Sequence, residues 1–454
     1  MNQFINRERE LAALEKFYAS GSPSMIVVWG RRRVGKTSLL IEFAKEKQHF
    51  YYLSKKLPLE SQPRDFAARF ASELGDYPPD IDKWDKAVDY VLSRIDGRAL
   101  LIVDEFPYLI EADDSVPSIW QSLWDQDLSK RNVMLVLMGS SVSMMERDVL
   151  GPKSPLYGRR SGQIKLEQLG FREAREFFPE WGLDDCLRAY AILGGVPAYL
   201  KRFTPAMGLW ENIASKILEP TEMLYEEPPI LLREELRTPE VYIRILESVA
   251  SGARTMSDIA DRSYLPYHNA PKYLRVLCNL GFLEKISPIG VRKERKAIYR
   301  MKDNYTNFWS RFVYPHRGEI ESGRAEAVLA TVRKELDEWI GRNVFERAAM
   351  EYLARYVRVP FALGPWWSKT DEVDVAGVSK SGTLLAECKW SSSPVGPNVL
   401  ASLAAKSSLV GPAPYTYYVF SRAGFTPAAK RLAAETGAHL VDLKGMYARN
   451  LIVS

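Results

Sequence analysis

One octapeptide limits this chain more than any other feature: Gly30-Arg31-Arg32-Arg33-Val34-Gly35-Lys36-Thr37, with Ser38 directly after it. Residues 24–29 before it, apolar from Met25 on, read as a buried strand, and residues 38–44 after it read as a helix. A strand, a glycine-spaced loop and a helix in that order make a phosphate cradle. The glycines let backbone N–H groups curl around an oligophosphate, and the helix start adds its positive end. Lys36 is then the cation for the β- and γ-phosphates, and the Thr37 hydroxyl the ligand to Mg²⁺. Such a loop points to an α/β unit built on a parallel sheet.

A second apolar run, residues 99–103, ends in Asp104-Glu105. Asp104 is placed to hold Mg²⁺ through its water shell and Glu105 to polarise the attacking water. A third run, residues 133–138, ends in Gly139-Ser140-Ser141, where a hydroxyl senses the γ-phosphate or simply makes a turn. Arg159 and Arg160 follow. Either reads as an arginine finger, in cis or across the interface of a homo-oligomer, or both as a solvated pair. No Asn-Lys-x-Asp guanine-reading motif follows the loop, so ATP is the expected nucleotide.

These elements carry a resemblance. Phe4-Ile5-Asn6-Arg7-Glu8, the phosphate loop, Val103-Asp104-Glu105-Phe106, Ser154-Pro155-Leu156-Tyr157-Gly158-Arg159 and Ile192-Leu193-Gly194-Gly195-Val196-Pro197 occur in that order. Together they resemble the archaeal-type ATPase family of the AAA+/STAND group. The resemblance implies that Asn6 and Arg7 border the adenine and that Pro197 lies in a helical lid over the nucleotide. Read without it, Gly195-Val196-Pro197 is only a helix break.

The 454 residues are 46% hydrophobic, enough for cores in about two to four domains. No run reaches the roughly 18 apolar residues of a membrane span, and the first residues lack a secretory pattern. With three scattered cysteines as well, the expectation is a cytoplasmic protein with reduced thiols and no membrane partner. Four dispersed histidines and no Cys/His cluster argue against a structural zinc site, so the expected metal is oxygen-liganded Mg²⁺ or Mn²⁺.

Charge is uneven. Residues 262–300 hold nine Lys/Arg against two Glu, a local +7, whereas the whole chain is +5. Such a segment fits an anionic partner, DNA first, or a solvated basic face. Tyr242, Ile245, Leu246 and Val249 share one helical face, Thr255 and Asp258 form a capping box, and Asn269 is placed to cap a third helix. Two strand-like runs follow, residues 282–286 and 296–301. Three helices and a basic hairpin make the plan of a winged helix, with Lys272 and Arg275 on its third helix. Arg292, Lys293, Arg295 and Lys296 are on its wing, as phosphate-contact candidates. Use of the same module for protein contacts only is the competing reading.

Further on, residues 343–356 read as a helix carrying Glu346, residues 372–377 as a strand with Asp374, and residues 382–390 as a strand with Glu387 and Lys389 on one face. Glu346, Asp374 and Glu387 are candidate ligands for Mg²⁺ or Mn²⁺, and Lys389 a candidate for positioning the attacking water. A lone Glu-x-Lys means little; Glu294-Arg295-Lys296 is another. The order of elements, continued by a helix at 399–409, a strand at 415–420 and a helix at 427–436, resembles the PD-(D/E)xK nuclease fold. Val373 stands where that fold often has proline. Archaeal-type ATPases often carry such a C-terminal domain of unknown function.

The expected architecture is therefore α/β: a P-loop ATPase core to residue 165, a helical lid at 166–235 and a winged helix at 236–302. A connector at 303–335 and a restriction-endonuclease-like domain at 336–454 complete it. The expected function is ATP hydrolysis with DNA association and metal-dependent nuclease activity. The alternative is a nucleotide-switched DNA-binding regulator whose nuclease fold is silent.

Overall fold

The computed structural model describes residues 4–236, 238–290, 297–357 and 359–448. Its first sheet contains β1 (Ser24–Trp29), β2 (His49–Leu53), β3 (Ala99–Asp104), β4 (Val133–Gly139) and β5 (Gly162–Lys165). All pairings are parallel, in the order β2-β3-β4-β1-β5. Every residue of β1, β3 and β4 is buried, which is why their sequences are apolar without alternation. The two faces nevertheless sort by parity. Met25, Val27 and Trp29 join a core with Phe66, Trp84 and Trp120, while Ile26 and Val28 join one with Leu14, Leu39 and Phe43. Each of these fully buried side chains contributes about 1.5–3 kcal/mol relative to exposure.

The order has a consequence for chemistry. Because β4 lies between β1 and β3, its carboxyl end falls between the phosphate loop and the Asp104-Glu105 pair. Ligands of open parallel sheets gather at those carboxyl ends.

Two contact-dense units account for the chain: one runs to Gln168 and adds Val196–Ala198, the other holds Leu169–Gly195 and Tyr199 onward. In the second unit, helices Pro239–Ala250, Met256–Arg262 and Ala270–Asn279 precede an antiparallel pair, β6 (Leu283–Ile286) and β7 (Ile298–Met301). Tyr242, Ile245, Leu246, Ala270, Leu274 and Leu277 fill its core. The Thr255–Asp258 capping box forms in both directions. Asn269 is different: it precedes its helix but makes no side-chain cap bond, because a 3₁₀ turn over Tyr267–Asn269 already holds it in helical geometry.

Tyr305, Phe308, Trp309 and Phe312 of the connector are buried. Beyond it a mixed sheet holds β8 (Leu363–Trp367), β9 (Glu372–Ser379), β10 (Gly382–Lys389), β11 (Tyr415–Ser421) and β12 (His439–Asp442). The first three are antiparallel neighbours and the last three parallel ones. Strand β8 escapes sequence reading because it contains Gly364 and Pro365. They fit here because β8 is an edge strand with a register shift between Gly364 and Trp366. Among the described residues no helix is long and apolar enough to cross a membrane.

Candidate functional site

Gly30 leaves β1 at φ +149°, and a Cβ there would stand 2.4 Å from the Leu166 carbonyl oxygen, so the loop requires glycine. Gly35 caps the helix Lys36–Ala44 at φ +95°, and Pro197 lies 3.8 Å from where its Cβ would be. With no side chain at that cap, the approach to the first-turn amides stays open, as a phosphate cradle needs. Val34 is buried in the core beneath the loop, while Arg31 and Arg33 are partly buried and Arg32 donates to the Tyr108 hydroxyl at 3.0 Å. Lys36 Nζ donates to the carbonyls of Gly30 (2.8 Å) and Arg31 (3.0 Å), which ties the ammonium over its own loop. Thr37 and Ser38 are exposed in the first helical turn.

Asp104 ends β3 and is only 3% exposed. Its Oδ2 accepts from the Thr37 hydroxyl at 3.1 Å and from the Tyr51 phenol, and its Oδ1 from the Glu105 amide at 2.7 Å. Burial pushes this carboxyl above the usual range and the Glu105 charge adds to that, while the Tyr51 and Thr37 donors oppose it. Tyr51 is the residue the sequence reading missed. It pairs with Ile102 in register and so shares a face with Asp104, whereas the adjacent Tyr52 bonds to Asp65 on the other. Nothing in His-Phe-Tyr-Tyr-Leu distinguishes the two rings.

Glu105 takes left-handed backbone geometry, φ +50°, unusual outside glycine. Its Oε2 accepts from the Ser140 hydroxyl at 2.8 Å and from the Ser140 amide at 3.2 Å. The Gly-Ser-Ser turn thus holds the acid that the sequence assigns to water activation, a contact set by the insertion of β4.

Arg7 is buried, and its guanidinium donates to the Val34 carbonyl at 3.1 Å and the Glu167 carbonyl at 2.7 Å while pairing with Glu10. It clamps the loop from beneath. Asn6, exposed at φ +58°, accepts from the Arg7 amide. Arg159 pairs with Asp125 at 3.0 Å, and Arg160 donates to the Leu150 carbonyl at 3.0 Å.

In the C-terminal sheet, Asp374 on β9 accepts from the Cys388 amide of β10 at 2.7 Å, between Glu387 and Lys389. Lys389 Nζ pairs with Glu387 at 2.7 Å. Glu346 starts the helix Glu346–Tyr352, in electrostatic reach of Asp374 and Glu372 on one side and of Arg300 and Arg254 on the other. Burial first, and then the charge of Asp374 on Glu346 and of Glu387 on Asp374, pushes both Glu346 and Asp374 above the usual carboxylate range. The four expected residues are therefore neighbours. Yet among the described residues no three His, Cys, Asp or Glu side chains converge as a ready-made metal site.

Lys272 and Arg275 are exposed on the helix Ala270–Asn279. Arg292, Lys293, Arg295 and Lys296, with Glu294 between them, lie outside the described residues. Cys186, Cys278 and Cys388 are free cysteines.

Residues 4–203 match a family described as an ATPase domain predominantly from Archaea, and residues 309–399 match "Archaea bacterial proteins of unknown function". An uncharacterised protein of Methanocaldococcus jannaschii is 31% identical over 400 residues, covering 85% of this chain and 87% of that one. An uncharacterised ATP-binding protein of the same organism is 42% identical over 45 residues, 10% of this chain and 76% of that one. A Walker-type ATPase of Pyrococcus abyssi has a similar fold, with a TM-score of 0.50 over 68% of this chain and 96% of that one, at 18% identity. The phosphate loop, its acid strand and the parallel sheet lie inside the matched region, so nucleotide binding of the ATPase type is the function of this half. Because the long match to the first of these relatives carries the likeness through most of both chains, the chain belongs to the archaeal-type ATPase family.

Proposed function

We propose that this ATPase hydrolyses ATP with Mg²⁺ and that its nucleotide state governs binding to DNA. The observation that carries the first part is the hydrogen-bonded chain Thr37–Asp104–Glu105–Ser140 beside Lys36. Thr37 and Asp104 are the residues that would hold Mg²⁺, which when bound neutralises charge on the phosphates. Lys36 exchanges its two carbonyl partners for phosphate oxygens. Glu105, released from Ser140, orients the attacking water and takes its proton. Asn6 and Arg7 set the loop edge where adenine docks, and Pro197 closes over Gly35.

The DNA part is supported by three helices followed by an antiparallel strand pair, the element order that a winged helix would need, and by the local +7 charge. Lys272 and Arg275, with the wing cations, suit phosphate positioning rather than base reading. The pairing of Lys389 with Glu387 supports a silent nuclease-like fold. A second reading, a metal-dependent nuclease, is supported by Asp374 bridging to β10 and by Arg254 and Arg300 flanking Glu346. Incubating the full chain with Mn²⁺ and single- and double-stranded DNA and RNA separates them. The regulator reading expects no cleavage and a DNA affinity that changes between ATP and ADP. Cleavage that Asp374→Ala abolishes would replace it with the nuclease.

A further inference from the structure

We propose that the loop leading into the helix Ala270–Asn279 grips unpaired DNA bases through Tyr264 and Tyr267. This makes a single strand, or a junction of single strand and duplex, the substrate class of the DNA-binding reading on which the inference rests.

Tyr264 is 89% exposed and Tyr267 56% exposed, yet the loop that carries them is firmly held. Ser263 is buried and donates to the Ile259 carbonyl at 2.6 Å. The Leu265 amide donates to Ala260 at 2.9 Å, the Leu265 side chain packs on the core, and the Asn269 amide donates to Pro266 at 2.9 Å. Backbone and neighbours are pinned while the two rings face water. Tyr264 also sits at φ +54°, a left-handed position that strains a bulky residue and that glycine would relieve. Packing does not explain a tyrosine there. Tyr273, by contrast, meets Tyr242 edge to face at 5.1 Å inside the module.

Charge decides what these rings face. From Arg262 to Leu283 the chain carries Arg262, Lys272 and Arg275 and no Asp or Glu; Asp258 and Asp261 precede this stretch and Glu284, paired with Arg300, follows it. Tyr77 is still more exposed, at 96%, but stands among Asp76, Asp80 and Asp82, a setting that repels a polyanion. Exposed aromatic faces in a stretch whose own charges are cationic match a nucleic acid whose bases present their own faces. In a duplex those faces are stacked away and only edges show, so the rings gain most from unpaired bases.

The test measures affinity of the full chain for oligo-dT, a forked duplex and a blunt duplex by fluorescence anisotropy. Replacing both rings, Y264A/Y267A, should weaken oligo-dT and fork binding about tenfold to hundredfold, the range for losing one or two base stacks. Blunt-duplex binding should change less than about twofold, because phosphate contacts remain. Y264W/Y267W should retain oligo-dT affinity, and Y77A should match wild type. A 2-aminopurine base in the strand should be quenched by wild type and not by Y264A/Y267A, a readout that a merely structural role would not give. Equal affinities of wild type and Y264A/Y267A for oligo-dT would overturn the inference while leaving duplex binding intact. Equal losses on all three DNAs would overturn it too. If wild type binds none of them, the DNA reading itself falls, and this inference with it.

Discussion

The phosphate-loop sheet and the C-terminal sheet each end a buried apolar strand beside an acid, and in both burial raises the carboxyl. They differ in what surrounds it. Asp104 receives three donors, from Thr37, Tyr51 and the Glu105 amide. Among the described residues Asp374 receives one, the Cys388 amide, and otherwise faces Glu387, Glu372 and Glu346, with Lys389 already paired to Glu387. A buried carboxylate with donors on both oxygens is tolerated as an anion; one among other carboxylates is driven toward its protonated form. The first site is assembled and the second is only juxtaposed.

The largest effect that can break this comparison lies in the first site. Lys36→Ala removes the ammonium tied over the loop, and ATP affinity should fall about hundredfold or more, the scale of lost charge-assisted bonds. Titration with a fluorescent ATP analogue measures it, and near-wild-type affinity would mean that Lys36 is not the phosphate cation. Glu105→Gln comes next. The amide keeps an acceptor for Ser140 but cannot take a proton, so kcat should fall about 10²-fold with nucleotide affinity within about twofold. A kcat unchanged in Glu105→Gln would move the base elsewhere.

A smaller pair of variants sharpens the contrast by sign. Asp374→Asn keeps an acceptor for the Cys388 amide and removes a charge from an acidic neighbourhood, so at pH 8 the unfolding midpoint should rise, by about 1–2 kcal/mol. Asp104→Asn exchanges an acceptor surrounded by donors for a donor, and should lower stability by about 1–3 kcal/mol. Matching signs would erase the distinction drawn between the sites. Mn²⁺ that stabilises wild type but not Asp374→Asn would show the second site assembling around metal, and would favour the nuclease reading.

What the chain reveals before folding follows from where each interaction is made. The phosphate loop, β1, β3, β4 and the capping box are local in sequence, and each is written as an unbroken run of residue types. The Glu387–Lys389 pairing is also local, through strand phase. Tyr51 on Asp104, Ser140 on Glu105 and the clamp from Arg7 to Glu167 depend on strand order, which no short pattern encodes. Choosing Glu346, Asp374 and Glu387 from element order and strand phase does not supply their geometry, because they come from a helix and two separate strands.

A final, smaller test asks whether the second site is nonetheless rigid. Trp390, directly after Lys389, donates its indole N–H to Asp337 at 3.1 Å. Asp337 also accepts two bonds from Arg188, both at 3.0 Å, and one from Arg422 at 2.7 Å, while Arg422 lies 4.9 Å over the Trp390 ring and pairs with Asp184. These partners come from four separate elements and brace the ends of β10 and β11. Although partial burial opposes it, bonding to Arg188 and Trp390, with the Arg188 and Arg422 charges, pulls the Asp337 carboxyl down to about 2. Its folded pKa lies below its unfolded one, so its contribution is present above about pH 4 and is lost as pH falls toward 2. With the side chain 43% exposed, solvent screening reduces that contribution to about 1 kcal/mol. Asp337→Asn should therefore lower the urea midpoint at pH 7 by the equivalent of about 1 kcal/mol, and the gap to wild type should narrow as pH drops below 4. ATP turnover should not change, since Asp337 belongs to the unit without the phosphate loop. A gap that stays constant down to pH 3 would mean that the brace acts by packing Trp390 rather than by charge.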